Sequence, residues 1–220
     1  MAKFFNYYPK TFYTSNNKSS GVDTVTNIIA RFGFEQKLKD NSAAFYEYNI
    51  QDSDTPEIIA RKYYDNVERH WIVLLFNDIL DPQFDWPLDQ RTIIDFIDSK
   101  YSANGAANTT PVSGISWAMN NANVQAYFKV VTRTASDATQ IIEKLQIDAN
   151  TYANTAATTN TYTLEDGKTV TQAVTKTFQT YYDYEIEENE KKRTIKLLKP
   201  EFIPFVEKEF KRVIKGWVLV

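Results

Sequence analysis

From Trp71 to Phe76 the chain reads Trp-Ile-Val-Leu-Leu-Phe, an apolar run without a break. Wound into a helix, such a run leaves no polar face, so other parts of the chain must cover it on every side. Asp81-Pro82 follows, and a residue before proline is pushed away from helical torsions. The spacing therefore predicts a helix from Arg69 to about Leu80, with Trp71, Leu74 and Leu75 in a core. Whatever else the chain builds has to supply that cover. With 220 residues, 43% of them hydrophobic, there is enough material for one large domain or two small ones.

Upstream, Phe45 to Ile50 alternates Tyr46, Tyr48 and Ile50 with Glu47 and Asn49, the period of a half-buried strand. Pro56 suits the first position of a helix, where its missing N–H costs nothing, and Thr55 can cap that helix. Asp54 with Glu57 offers an alternative capping box. Ile58, Ile59 and Tyr63 are its expected buried side, with Ile59 in the core. A third helix, from about Asp89 to Tyr101, presents Ile93, Phe96, Ile97 and Tyr101 on one side. Nearer the start, Val25, Ile28, Ile29 and Phe32 fit a short amphipathic helix between Val22 and Phe34.

At Ser102 the composition turns to Ala, Asn, Thr and Ser, which predicts a surface loop or linker through Gly114. Beyond it Val124, Ala126, Phe128 and Val130 alternate, and Asp166-Gly167 lies between two alternating stretches, a strong hairpin signal. A small β insertion over about Val112 to Thr180 is expected. The last segment reads as helix (Tyr184 to Arg193), strand (Thr194 to Leu198) and helix, the latter aligning Phe202, Val206, Phe210 and Val213. In the first of these, Glu187 and Lys191, and Glu188 and Lys192, are spaced for supporting ion pairs. The fold class is α+β. The expected divisions are an N-terminal arm and short helix (1–43), a strand-helix-helix domain (44–101), a Thr/Asn-rich β insertion (102–182) and a C-terminal segment (183–220).

Composition removes much chemistry. There is no cysteine and one histidine, so thiol nucleophiles, zinc-thiolate sites and two-histidine metal sites are excluded. No cofactor and no catalytic residue is expected. His70 has no serine in a nucleophile-elbow context and no second ligand nearby in sequence, and is read as packing or a protein contact. Asp78, Asp81 and Asp85 cluster, and two carboxylates suffice for glycoside hydrolysis, but Asp81 before Pro82 more commonly builds a turn. A net charge of -3 gives no basic field for nucleic acid or membrane. No apolar stretch reaches the roughly 18 residues needed to span a bilayer. Folding in a cytoplasm is expected.

What stands out is 14 Tyr, 14 Phe and 4 Trp against 6 Gly. Aromatic side chains bury large area with few rotors, and serve cores and contact surfaces alike. Phe4, Phe5, Tyr7, Tyr8, Phe12 and Tyr13 crowd a segment too short to bury them on itself, so it either lies along the body or docks on another chain. These six, with Trp86, are the candidate partner contacts.

Tyr48, Ile50, Asp54-Thr55, Ile59-Ala60 and Phe76-Asn77 followed by Ile79 and Pro82 resemble a LysM domain, although the expected closing Gly-Gln-x-Leu strand is replaced by a helical stretch, Pro87 to Ile97. That resemblance implies binding of peptidoglycan or chitin fragments as an alternative function. A wider one covers Tyr46 to Tyr101 and Tyr184 to Val213. Tyr64, Asn66, Trp71, Asn77-Asp78, Asp81-Pro82 and Trp86, with Asn189-Glu190-Lys191 running into Ile195-Lys196, resemble the baseplate wedge protein of T-even contractile-tailed phages, the product of gene fifty-three. It implies a non-enzymatic virion protein with a LysM-like unit, present in multiple copies and joining neighbouring wedges around the tail hub. Its partners would be other wedge subunits and hub or sheath-proximal proteins. The threonine-rich middle has no counterpart in that resemblance.

Overall fold

The computed structural model describes residues 4–13 and 22–216. The polar stretch that follows Tyr13, Thr14 to Gly21, lies outside them. After a 3-10 turn at Phe4–Tyr7 come strands β1 (Lys10–Tyr13) and β2 (Asp23–Thr26), helix α1 (Gln36–Lys39) and strand β3 (Phe45–Asn49). Helices α2 (Pro56–Tyr64), α3 (His70–Phe76), α4 (Pro82–Asp85), α5 (Gln90–Lys100), α6 (Ser102–Ala106) and α7 (Gly114–Met119) follow. Then come β4 (Val124–Ala135), β5 (Gln140–Ile147), α8 (Ala149–Asn154), β6 (Thr158–Thr163) and β7 (Thr169–Thr180). The chain closes with α9 (Tyr181–Lys191), β8 (Thr194–Leu198) and α10 (Ile203–Gly216). The fold is mixed α+β with three small antiparallel sheets among the described residues. It divides into two compact units, residues 1–87 with 190–220, and residues 88–189.

In the first unit β3 pairs antiparallel with β8, Phe45 opposite Leu198 through Asn49 opposite Thr194. The two helices α2 and α3 follow β3, and β8 closes the arrangement. Thr55 caps α2, its hydroxyl accepting from the Ile58 N–H, with Pro56 at the first turn. The expected capping-box role of Asp54 is not found: its carboxylate instead accepts from the Tyr48 hydroxyl, from the Gln51 N–H at 3.2 Å and from Lys62 Nζ at 2.6 Å. The buried side of α2 is Ile59, Ala60 and Tyr64, while Ile58 and Tyr63 are exposed, a rotation of one position from the sequence expectation.

The apolar run does form the centre. Trp71, Ile72, Val73 and Phe76 are buried, Leu74 and Leu75 partly so, and β8, α10 and the N-terminal segment provide cover. The helix stops four residues earlier than expected, and proline is not the cause. Asp78 adopts φ 57, the Ile79 N–H returns to the Leu74 carbonyl at 2.9 Å, and the Asp78 N–H reaches Leu75 at 3.3 Å. This is a Schellman closure, with Ile79 buried beneath it. It leaves Leu80 outside.

The predicted helix between Val22 and Phe34 is also overturned. Residues 23–26 pair with β1 as a two-stranded ribbon, and Val25, Ile28 and Ile29 are exposed. Asn27 accounts for the change: its N–H donates to the Pro9 carbonyl at 2.8 Å and its side chain accepts from the Ile29 N–H at 3.1 Å, a local turn that competes with helix.

In the second unit α5, capped by Asp89, buries Ile93, Ile97 and Tyr101 against Ala118, Trp117, Tyr181 and Ile186. The expected linker at Ser102 to Gly114 opens instead with helix α6, and only residues 107–113 form the exposed loop that the composition predicts. A Cβ on Gly114 would lie 2.1 Å from the Asp98 carbonyl oxygen, so glycine here permits backbone contact, not flexibility. The sheet has the order β5-β4-β7-β6. The Asp166-Gly167 hairpin forms as read, with Gly167 at φ 80 and the Leu164 N–H on the Lys168 carbonyl. The β4 to β5 turn has the same shape with Ala138 at φ 66.

Candidate functional site

The N-terminal aromatics split into two sets, and local geometry decides which is which. A 3-10 turn brings residues i and i+3 to one side, so Phe4 and Tyr7 face the body together while Phe5 points away. The Phe4 ring stacks on Phe210 at 5.1 Å and contacts Trp71 at 5.3 Å. Tyr7 meets Phe210 edge-on, and Lys211 Nζ lies 4.8 Å from its ring. Tyr8 packs on Phe4 at 5.2 Å, and its burial raises the phenol's pKa. Phe5, Phe12 and Tyr13 are 56%, 79% and 58% exposed, the last two on the β1–β2 ribbon.

Beside this segment runs an apolar groove of about 420 Å³, lined by Phe5, Tyr8, Ile28, Phe32, His70, Leu75 and Leu80 among others. Ile28 and Leu80 are each 72% exposed at its rim. Both are there for reasons given above: the Asn27 turn puts Ile28 outside, and the Schellman closure of α3 releases Leu80. Neither was foreseen as a contact residue, because both were assigned to helices.

No reactive constellation accompanies the groove. His70 pairs its Nδ1 with the Val67 carbonyl at 3.0 Å. The three clustered aspartates each have a structural partner. Asp78 binds the buried Lys39 ammonium, Asp81 caps α4 by accepting from the Gln83 N–H, and Asp85 accepts from the Asp81 N–H at 3.1 Å. Among the described residues no three His, Cys, Asp or Glu side chains are grouped to hold a metal ion. No helix among them is long and apolar enough to cross a membrane.

The remaining candidates frame the core. Ile59 and Trp71 are buried, and Leu74 and Leu75 border it. Trp86 is half-buried against the same cluster, and its indole N–H donates to the Asp54 carbonyl at 3.1 Å. Burial pushes the Asp54 carboxyl up, but bonds from Lys62, Tyr48 and Gln51 outweigh it, so the group is held below its ordinary range. Tyr48, by burial and by its bond to Asp54, is held above its own.

Two asparagines that the sequence reading treated only as motif letters act as main-chain clamps. Asn77 donates to the Lys196 carbonyl at 2.8 Å and accepts from the Lys196 N–H at 2.7 Å, tying the end of α3 to β8. Asn189 does the same to Leu88, accepting at 2.7 Å and donating at 3.0 Å. An amide is the side chain that reproduces both halves of a peptide pairing, which is the one signal that could have singled them out.

Comparison with curated proteins returns no match. The family described as base plate wedge protein 53 matches residues 3–213. An exposed aromatic surface agrees with that match, and the chain belongs to the base plate wedge protein 53 family, structural components of the phage baseplate and not enzymes.

Proposed function

We propose that this subunit joins neighbouring wedges around the tail hub, and that it grips them through the groove beside α3 and the β1–β2 ribbon. The observation that carries this is the ribbon itself. A lone two-stranded ribbon is marginal in water, yet this one holds Phe12 and Tyr13 outward, so it gains cover from another molecule. Phe5, Ile28 and Leu80 add exposed apolar side chains along the groove. Phe4, Tyr7 and Tyr8 act from beneath, holding the segment on Phe210 and Trp71. Trp86 contributes only its outer edge. Partners are other wedge subunits, with hub or sheath-proximal proteins as the finer expectation.

We further read β3–α2–α3–β8 as a LysM-like unit whose closing strand comes after residues 88–189, and the threonine-rich middle of that stretch, 102–182, as an insertion specific to this lineage. The missing closing strand of the sequence reading is then β8, supplied from far downstream.

The test is binding of purified wedge subunits of the same phage to the wild-type chain and to a Phe12→Ser/Tyr13→Ser variant. Removing two central aromatic anchors is expected to weaken binding at least roughly tenfold. The thermal midpoint should be unchanged, since both side chains are exposed. Unaltered affinity for every wedge subunit would remove the ribbon from the interface. Deleting residues 1 to 20 is a poorer experiment, because it also takes Phe4 out of the core.

A further inference from the structure

The second unit carries a sheet edge that has nothing on it. Strand order β5-β4-β7-β6 leaves β5 and β6 at the edges, and all six residues of β6 are exposed. Natural edge strands are blunted by charge, proline or a bulge. β6, Thr-Thr-Asn-Thr-Tyr-Thr, has no charge and no proline, and its register with β7 runs unbroken from Thr158 opposite Val174 to Thr163 opposite Thr169. β5, by contrast, bears Glu143 and Lys144.

The hairpin fixes which groups face the open side. The Leu164 N–H donates to the Lys168 carbonyl, so Tyr162, Asn160 and Thr158 are the hydrogen-bonded partners of β7. Thr159, Thr161 and Thr163 therefore turn their N–H and C=O groups outward. The 3.2 Å approach of the Thr161 and Thr171 hydroxyls agrees, since side chains come closest at non-hydrogen-bonded pairs.

We propose that β6 is the pairing edge for a second copy of this chain, joined antiparallel about a two-fold axis that passes midway between the two copies' Thr161. The edge is complementary to itself. With Thr161 opposite its own copy, Thr159 meets Thr163 and Thr163 meets Thr159, which satisfies all the outward groups in about six main-chain hydrogen bonds. Threonine faces threonine on one side of the sheet, Asn160 faces Tyr162 on the other, and no like charges meet. The same operation on β5 centred on Glu143 or Lys144 sets equal charges face to face. Pairing thus closes at two copies as one continuous eight-stranded sheet and does not propagate into fibres. A six-residue edge is only about 20 Å long, so the contact is small and the association weak and reversible.

The experiment is sedimentation equilibrium of the full chain over micromolar to millimolar concentration, with Thr161→Lys and Thr161→Glu variants. Both substitutions are on an exposed side chain, and circular dichroism checks that each variant folds. The wild type is expected to reach dimer and go no further. Each variant alone places two like charges together and weakens dimerisation at least roughly tenfold. An equimolar mixture of the two variants restores it. A wild type that stays monomeric throughout, or variants that dimerise as well as it does, would overturn the proposal.

Discussion

Asn77 shows how much one side chain can hold. Its amide carries both the acceptor for the Lys196 N–H and a donor for the Lys196 carbonyl, while also donating to the Val73 carbonyl at 2.8 Å. Leu at this position matches the volume but leaves the main-chain groups of β8 without partners in a half-buried place. Each such orphan costs roughly 1–3 kcal/mol, so Asn77→Leu is expected to lower stability by about 2–4 kcal/mol. The shift of the urea midpoint measures it. A change under about 0.5 kcal/mol, the scale of an ordinary surface substitution, would mean that β8 is held by its pairing with β3 alone. The aromatic residues teach a related point: Phe4 and Phe5 are neighbours of identical type, yet one stacks on Phe210 and the other faces solvent, because the turn they sit in has a period of three.

At the scale of elements, the ones read correctly are those whose signals are local. α2 begins where Thr55 and Pro56 place it, α5 where Asp89 caps it, and the β6–β7 hairpin turns at Gly167. The misread ones were decided by contacts farther away. The stretch from Ser102 to Gly114 has the composition of a linker, but its small residues let α5, α6 and α7 approach one another closely. Gly114→Ala tests this directly. A methyl group 2.1 Å from the Asp98 carbonyl oxygen forces the backbone to shift, and is expected to cost roughly 3 kcal/mol, read as a lower thermal midpoint. In a flexible linker the same change would be neutral or slightly stabilising.

For the molecule as a whole, the Asn189 clamp on Leu88 has a further consequence. It brings the first and last residues of the second unit side by side, so that unit begins and ends at one point of the chain. Replacing residues 88–189 by a short Gly-Ser linker should therefore leave the first unit folded, with β3 still paired to β8. Far-ultraviolet circular dichroism and a cooperative thermal transition would show it. Loss of that transition would mean that the first unit depends on the second for stability. The pairing of β3 with β8 across some 150 residues also predicts that the first unit closes late in folding, since its strands meet only after a large loop is shut.

By itself, the sequence determined where α2, α3, α5 and the β6–β7 hairpin start, that Trp71 to Phe76 had to be enclosed, and, through the order of its motifs, the family. These follow from interactions spanning a few residues, or from a run so apolar that water cannot solvate it. The tertiary structure alone decided that β3 pairs with β8, that α2 turns Ile59, Ala60 and Tyr64 inward in place of Ile58 and Tyr63, and that Leu80, Ile28 and Phe12 stay outside. Strand pairing and burial are set by partners distant in the chain, and no local window of residues contains them.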